Sequence, residues 1–378
     1  MKRKPIALII FVLIFSLLSS VVPAHGEEIA LSAPATVLMD SATGEVLYEK
    51  NSHEQRPCAS ITKIMTLSLV FEAIDEGKLT VTDTLMTSAH ASSMGGSDIW
   101  LEPGESMTVD ELLKATVIVS ANDAAVVLAE AVAGSEDAFV KQMNEKANEL
   151  GMKDTVFRNC NGLDEDGHVT SAHDVALMSR ELIRHSAIFN YTNIWIENLR
   201  NGETQLVNTN KLLRSYNGIT GLKTGTTSKA GSCISATAER DSLSLVSVIL
   251  GAPNSESRFK DAAVLLDYGF ANWSTVIPEK PRIGEIDVKN GMQKTVTAES
   301  DPPPKVLLHI SDEKEITNKI IFKENLTAPV KTGDIVGKIV YSSGGKTLAE
   351  TEIRAASNSD AITFLSSFVY LLQSLIRL

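Results

Sequence analysis

The sequence has only three cysteines, Cys58, Cys160 and Cys233, so they cannot all pair with one another. Three cysteines in a chain of 378 residues do not form the dense disulfide framework of small secreted domains. One pair can form in principle, but no spacing selects it. We therefore expect the three thiols to behave as small buried apolar groups.

Positive charge is also scarce, because 35 Lys and Arg residues face 47 Asp and Glu residues and the formal net charge is -12. Nucleic-acid binding depends on Lys and Arg side chains that neutralise phosphates, so we expect no nucleic-acid partner. The composition is 43% hydrophobic and 22% charged, which is typical of a globular protein. It excludes a disordered chain, collagen and a coiled coil.

The sequence lacks the His-Glu-x-x-His motif of zinc peptidases, and its seven histidines are scattered. The nearest approach to a metal cluster is the group of Asp166, His168, His173 and Asp174. The alternative, which we favour, is that His173 and Asp174 begin a helix capped by Ser171. We predict no metal ion and no cofactor.

The N-terminus carries a long uncharged run, residues 6–22, directly after the basic segment Met1-Lys2-Arg3-Lys4. This pattern is typical of a secretory signal peptide, which we assign to residues 1–24. Small residues favour cleavage after Ala24 or after Gly26. A retained membrane anchor is the alternative. In either case we expect the protein to be secreted across the cytoplasmic membrane and to act outside it.

The other end of the chain, residues 360–378, alternates polar and apolar residues at steps of three and four. Beyond Asp360 the only charged residue is Arg377. We therefore predict an amphipathic helix that lies in the headgroup region of the membrane and attaches the protein peripherally to its outer face. A helix docked on the protein itself is the alternative. A spanning helix would expose its polar stripe to hydrocarbon.

The composition between these ends changes once, near residues 274–280. Residues 30–274 have strand-like stretches at both ends and helix-like stretches between them, which predicts an antiparallel sheet covered by a helical block. Residues 278–356 consist of short alternating runs broken by Gly and Pro, which predicts a small all-β domain. The fold class is thus α/β, in its α+β form.

A serine and a lysine three residues apart, Ser60-Ile-Thr-Lys63, begin one of the helix-like stretches. Residues i and i+3 lie on one face of a helix, so a neutral Lys63 amine can take the hydroxyl proton of Ser60. Alone, the spacing is a weak signal. It recurs in Ser311-Asp-Glu-Lys314 and Ser343-Gly-Gly-Lys346.

The order of three motifs makes the signal specific. Ser60-x-x-Lys63 precedes Ser120-Ala-Asn122, at the junction of two helix-like stretches, and Lys223-Thr-Gly225, before an alternating strand. With this set the chain resembles the low-molecular-weight penicillin-binding proteins, which are serine-type D-alanyl-D-alanine carboxypeptidases of peptidase family S11. The likeness extends to the flanking stretches Ala59–Met65, Gly96–Gly104, Asn159–Leu163 and Gly221–Thr226.

The resemblance implies a β-lactamase/transpeptidase-like catalytic domain and a role for each motif residue. Ser60 would be the nucleophile, and Lys63 its general base. The positive charge of Lys223 would lower the pKa of Lys63, in addition to burial. Ser120 would relay a proton to the leaving amine, and Asn122 would hold the substrate amide.

On the opposite side of the implied site, Arg258 would bind the terminal carboxylate of the peptide; the alternative is a surface arginine near a helix N-terminus. Backbone N–H groups of Ser60 and Thr226 would form the oxyanion hole. The strand that pairs with the substrate would be lined by Lys223, Thr224, Gly225 and Thr226.

The implied substrate is the peptidoglycan stem pentapeptide, which ends in D-Ala-D-Ala, and β-lactam antibiotics would acylate Ser60. A serine β-lactamase uses the same motifs, but the Glu-x-x-Leu-Asn loop of one large class is absent from the sequence. A DD-endopeptidase uses the same residues and stays open. A non-catalytic wall-binding protein is a further alternative, which the intact motifs disfavour.

Overall fold

The structure of the protein is a computed structural model that describes residues 29–364, 368 and 369. The predicted signal peptide, residues 1–24, and most of the predicted C-terminal helix, residues 360–378, lie outside the described residues. Within the described part of the chain, no helix has the length and hydropathy that a bilayer span requires.

The larger domain is built on an antiparallel sheet. Its strands are β1 (Ala35–Asp40), β2 (Val46–Lys50), β3 (Thr84–Met86), β4 (Ser106–Thr108), β5 (Ile196–Leu199), β6 (Thr204–Val207), β7 (Ile219–Thr227), β8 (Gly231–Arg240) and β9 (Leu243–Ala252). Five of them form the main sheet in the order β2-β1-β9-β8-β7, and β3 with β4 and β5 with β6 form two small sheets. The predicted sheet from the two ends of the domain is confirmed.

Helices cover both faces of the main sheet. They are α1 (Lys63–Asp75), α2 (Ala89–Ser92), α3 (Val109–Ile118), α4 (Asn122–Ala133), α5 (Glu136–Glu149), α6 (Ala172–Arg184), α7 (Phe189–Thr192), α8 (Leu212–Ser215) and α9 (Ser255–Asn272). Side chains of β9 alternate between two cores: Val246 and Val248 belong to the core with α1, and Leu245 and Ile249 to the core with α9.

Helix α1 lies in the centre of the helical block, because its sequence is apolar on nearly all sides. Residues 63–71 of this helix are all buried. This burial places Lys63, its first residue, inside the protein. At α6 the predicted cap is confirmed, since the Ser171 hydroxyl accepts the Asp174 N–H at 3.2 Å.

The C-terminal region is all-β, as predicted. Its strands are β10 (Trp273–Val276), β11 (Glu285–Asp287), β12 (Thr295–Ser300), β13 (Val306–His309), β14 (Thr317–Phe322), β15 (Ile335–Ser343) and β16 (Lys346–Ala355). β10 follows α9 directly and pairs with β13, and the other five form a sheet in the order β11-β12-β16-β15-β14. The Trp273 ring contacts Tyr268 of α9 and His309 of β13, each at 5.3 Å between centroids.

Candidate active site

Ser60 lies in a short 3-10 turn, Ala59–Thr62, that leads directly into α1. The turn begins at Ala59 in a left-handed conformation, with φ +52°. Ser60 is half-buried, whereas Lys63 is completely buried. The turn brings Lys63 Nζ to 3.1 Å from Ser60 Oγ, as the three-residue spacing predicted.

Lys63 Nζ has two further partners, Asn122 Oδ1 at 2.5 Å and the backbone oxygen of Asn161 at 2.6 Å. Burial lowers the pKa of Lys63 to about 7, although nearby Cys160 and two carboxylates act in the opposite direction. A neutral amine has two N–H groups and one lone pair. With both N–H groups donated to the two oxygens, the lone pair is left for the hydroxyl proton of Ser60.

Ser120 and Asn122 lie at the junction of α3 and α4, where the sequence predicted a helix boundary. Ser120 has a φ of +66°, and its buried Oγ has no hydrogen-bond partner among the described residues. The Asn122 side chain donates to the Gly95 oxygen at 2.6 Å, and its backbone N–H donates to the Ser97 oxygen at 2.7 Å. The junction is therefore fixed to the loop that precedes β4.

Strand β7 forms the opposite wall of the site. At Gly225 a Cβ atom would lie 2.8 Å from the Cys58 oxygen and 3.0 Å from the Ser60 nitrogen, so only glycine lets the strand approach the turn that carries Ser60 this closely. Lys223 is buried, and its Nζ donates to the Thr224 oxygen at 2.9 Å. The Thr224 hydroxyl donates to Thr209 Oγ1 at 2.7 Å.

The structure corrects one expectation about the two lysines. Burial, and not Lys223, is the main cause of the lowered pKa of Lys63. The pKa of Lys223 is held far below its ordinary value, by burial first and then by repulsion from Lys63 and Arg258. Both amines therefore favour the neutral form in this site.

Arg258 is buried at the beginning of α9, with only 7% of its surface exposed, so the alternative of a surface arginine is wrong. Its Nη1 donates to the Gly225 oxygen at 3.0 Å and to Thr226 Oγ1 at 2.8 Å. Its buried Nε has no partner among the described residues. The guanidinium thus lies beside β7, and its Nε–H group is available to donate a further hydrogen bond.

The loop that carries Asn161 and Gly162 had no predicted role. A Cβ at Gly162 would lie 2.0 Å from the Ala59 oxygen, and the residue has a φ of +85°. The loop therefore packs closely against the turn that carries Ser60, while the Asn161 backbone oxygen accepts from Lys63. The Asn-Gly pair is a turn signal in the sequence, but the contact with Lys63 spans 98 residues.

The residues of the candidate metal cluster do not come together. His168 is buried, with Nε2 2.7 Å from Thr62 Oγ1, whereas Asp166 is exposed and pairs with Lys229 at 3.1 Å. Within the described ranges no group of three His, Cys, Asp or Glu residues is arranged to hold a metal ion. All three cysteines are free and buried, as expected.

With this geometry established, comparison with known proteins identifies the family. A family model described as D-alanyl-D-alanine carboxypeptidase, peptidase S11, matches residues 22–254. The chain belongs to the D-alanyl-D-alanine carboxypeptidase family. The resemblance drawn from the three motifs is therefore confirmed, and so is the assignment to a class of serine hydrolases. A second model, the C-terminal domain of penicillin-binding protein 5, matches residues 274–360.

Individual relatives and solved structures match between 65% and 90% of the chain. It is 39% identical to D-alanyl-D-alanine carboxypeptidase DacF of Bacillus subtilis, over 90% of this chain and 89% of the relative. The crystal structure of penicillin-binding protein 5 from Haemophilus influenzae is similar, with a TM-score of 0.76 and 28% identity. The match covers 89% of this chain and 99% of that structure. The crystal structure of ampicillin-bound penicillin-binding protein D2 from Listeria monocytogenes is also similar, with a TM-score of 0.59 and 36% identity. This match covers 65% of this chain and 100% of that structure.

Proposed function

We propose that this carboxypeptidase removes the terminal D-Ala from peptidoglycan stem pentapeptides through an acyl-enzyme on Ser60. The observation that carries the proposal is the contact of 3.1 Å between Nζ of the buried Lys63 and Oγ of the half-buried Ser60. An amine with a pKa of about 7 is neutral in much of the population at physiological pH. It is then able to act as a general base.

In acylation, Lys63 takes the proton of the Ser60 hydroxyl as Oγ attacks the carbonyl carbon of the penultimate D-Ala. The amide C–N bond breaks, and the amine of the leaving D-Ala receives a proton through Ser120. The unpartnered Oγ of Ser120 is free to take part in this transfer. Water then hydrolyses the ester and regenerates Ser60. Asn122 holds the substrate amide while its own amide group is fixed by Gly95.

The substrate pairs with β7, the edge strand of the main sheet. The Thr192 side chain donates a hydrogen bond to the Thr220 oxygen, and the Asn210 side chain donates one to the Gly221 oxygen. Neighbouring segments therefore cover the first part of this edge. The later part is left for an added peptide strand. Arg258 and Thr226 bind the terminal carboxylate there, and N–H groups of Ser60 and Thr226 stabilise the oxyanion. The residues that line this part of the strand are Lys223, Thr224, Gly225 and Thr226.

β-Lactam antibiotics acylate the same serine and leave a long-lived adduct. The structural neighbour with bound ampicillin supports this part of the proposal. The missing Glu-x-x-Leu-Asn loop also supports it, because no equivalent carboxylate is supplied to activate water against the adduct.

The decisive experiment mixes the protein with a peptide that ends in Lys-D-Ala-D-Ala and, separately, with benzylpenicillin, and follows both by intact-mass spectrometry. We expect release of a single D-Ala and a stable penicilloyl adduct, both lost in Ser60→Ala. Ser311→Ala, in the second Ser-x-x-Lys sequence, is the matched control and should keep both activities. Rapid penicillin turnover with an intact peptide would indicate a β-lactamase, and no reaction with either would indicate a binding protein.

We propose further that residues 1–24 are the signal for export. The exported chain then consists of a catalytic domain, residues 30–274, and a β domain, residues 278–356. Residues 360–378 attach it to the outer face of the cytoplasmic membrane. Exposed apolar side chains near the C-terminus support the attachment. They belong to Ile362, Phe364, Phe368 and Val369.

Cosedimentation with phosphatidylglycerol–phosphatidylethanolamine vesicles tests the attachment. The full chain should sediment with the vesicles, and a chain that ends at Asp360 should stay in solution. Phe364→Ser should weaken binding more than Ile277→Ser, which removes an apolar side chain of similar exposure earlier in the chain. Equal sedimentation of the full and shortened chains would refute the attachment.

A further inference from the structure

Trp100 presents an exposed indole on a strained loop beside the active site. Its surface is 81% exposed, whereas Trp195 and Trp273, the other tryptophans of the sequence, are half-buried. Its φ of +53° lies in the left-handed region, which bulky residues rarely adopt. Such a conformation persists only where the surrounding structure holds it.

The fold holds the backbone of Trp100 from both sides. The N–H groups of Ile99 and Leu101 donate to the Asp123 carboxylate at 3.1 and 3.0 Å. The Ile99 oxygen accepts from Arg200 Nη1 at 2.9 Å, and the side chains of Ile99 and Leu101 are buried. Burial of the indole therefore does not explain the strain. The loop instead holds a backbone position from which an aromatic ring projects into solvent.

The same loop touches the catalytic groups. The Ser97 oxygen accepts the backbone N–H of Asn122, whose side chain binds Lys63. Three residues of chain from Ser97 to Trp100 span at most about 10 Å. The four stem residues that remain on the enzyme after cleavage span about 13 Å when extended. The sugar end of the stem is thus within reach of the indole when its D-Ala end is at Ser60.

We propose that Trp100 is a stacking platform for the acetylated amino sugar that carries the stem peptide. The inference rests on the proposed function and adds a second point of contact to it. One face of a sugar ring is lined by C–H groups, and the flat apolar face of an indole packs against such a surface. Because the backbone that carries the ring is already held in place, only the two side-chain torsions of Trp100 need to be ordered when the sugar binds.

The test compares kcat/KM for a free N-acetylated stem pentapeptide with kcat/KM for the same peptide attached to the N-acetylglucosamine–N-acetylmuramic acid disaccharide. The wild type should prefer the disaccharide peptide by about fivefold to tenfold, the size of one aromatic stacking contact. Trp100→Asn removes the ring but tolerates the left-handed backbone, so it should lose this preference. Trp100→Tyr keeps a flat ring and should restore most of it.

Ile277→Ala, which removes another exposed apolar side chain, should keep the full preference. Equal cleavage of the two substrates by the wild type would overturn the stacking platform and leave the carboxypeptidase proposal intact. A Trp100→Asn variant that slows both substrates by the same factor would also overturn it, because the ring would then only support the loop. Failure of the wild type to cleave either substrate would overturn the proposed function itself.

Discussion

A Cβ atom at Gly225 would lie 3.0 Å from the backbone nitrogen of Ser60. The contact is between two backbone segments, so neither can move aside as a flexible side chain does. Strand β7 and the turn that carries Ser60 therefore set each other's position.

Gly225→Ala should for this reason displace the nucleophile turn and lower kcat/KM by about a hundredfold, the typical cost of a misplacement of about 1 Å. The measurement is the rate of D-Ala release, with the rate of benzylpenicillin acylation beside it. Gly284→Ala is the matched control, because a Cβ there meets no atom within 4 Å. Full activity of Gly225→Ala would contradict the proposed coupling of strand and turn.

The pH dependence of the reaction should report Lys63. Only the neutral amine accepts a proton, so kcat/KM should rise with pH through the Lys63 pKa of about 7 and fall away below it. Burial lowers this pKa most, whereas Cys160, Asp98 and Asp123 act to raise it.

Asp98→Asn should consequently move the acid limb of the kcat/KM profile to lower pH, by roughly half a unit. Asp166→Asn removes an exposed carboxylate that does not act on Lys63 and should leave the limb in place. A limb that stays at the wild-type pH in Asp98→Asn would mean that another group controls it.

The sequence was enough to predict the contact between Ser60 and Lys63 and the central sheet, because each depends on a local pattern. A spacing of three residues places Ser60 beside Lys63 in any helical turn. Alternating apolar residues in β9 place Val246 and Leu245 on opposite faces of a sheet.

Contacts between distant loops had no such local pattern. The Asn161 oxygen meets Lys63 across 98 residues, and the Asp123 carboxylate meets the backbone of Leu101 across 22. Asn161 lies in a stretch with family likeness, but no local pattern predicts either contact, since Asn161 acts through its backbone oxygen and Asp123 on a backbone N–H. The sequence predicted that burial and Lys223 would together lower the Lys63 pKa, but not that burial dominates, because burial depends on how the whole helical block packs around α1.

Arg258 offers a test of carboxylate recognition. Arg258→Lys keeps a positive charge but loses the bidentate fork, and should lower kcat/KM for a peptide with a free C-terminal carboxylate by roughly tenfold to a hundredfold. A peptide with a C-terminal amide should be affected much less. Lys260→Ala removes an exposed charge from the same helix and serves as the control. An equal loss for both peptides would show that Arg258 only supports β7.

His168 should make the protein less stable in mild acid. Burial lowers its pKa to about 4, and its Nδ1 accepts the Arg158 N–H at 3.1 Å, so the folded protein holds the neutral ring. In that tautomer Nε2–H donates to Thr62 Oγ1, which donates in turn to the Ala59 oxygen of the nucleophile turn.

The unfolded chain binds a proton at His168 below about pH 6.5, whereas the folded chain does so only below about pH 4. The stabilisation is therefore fully present above pH 6.5 and is lost as the pH falls from about 6.5 to 4, to a total on the order of 3 kcal/mol. Urea unfolding should be measured at several pH values across this range. As the pH is lowered, the free energy of unfolding should decrease more steeply in the wild type than in His168→Gln. His53→Gln, at a histidine whose side chain is 61% exposed, should keep the wild-type slope. Parallel slopes for the wild type and His168→Gln would rule out His168 as the source of acid sensitivity.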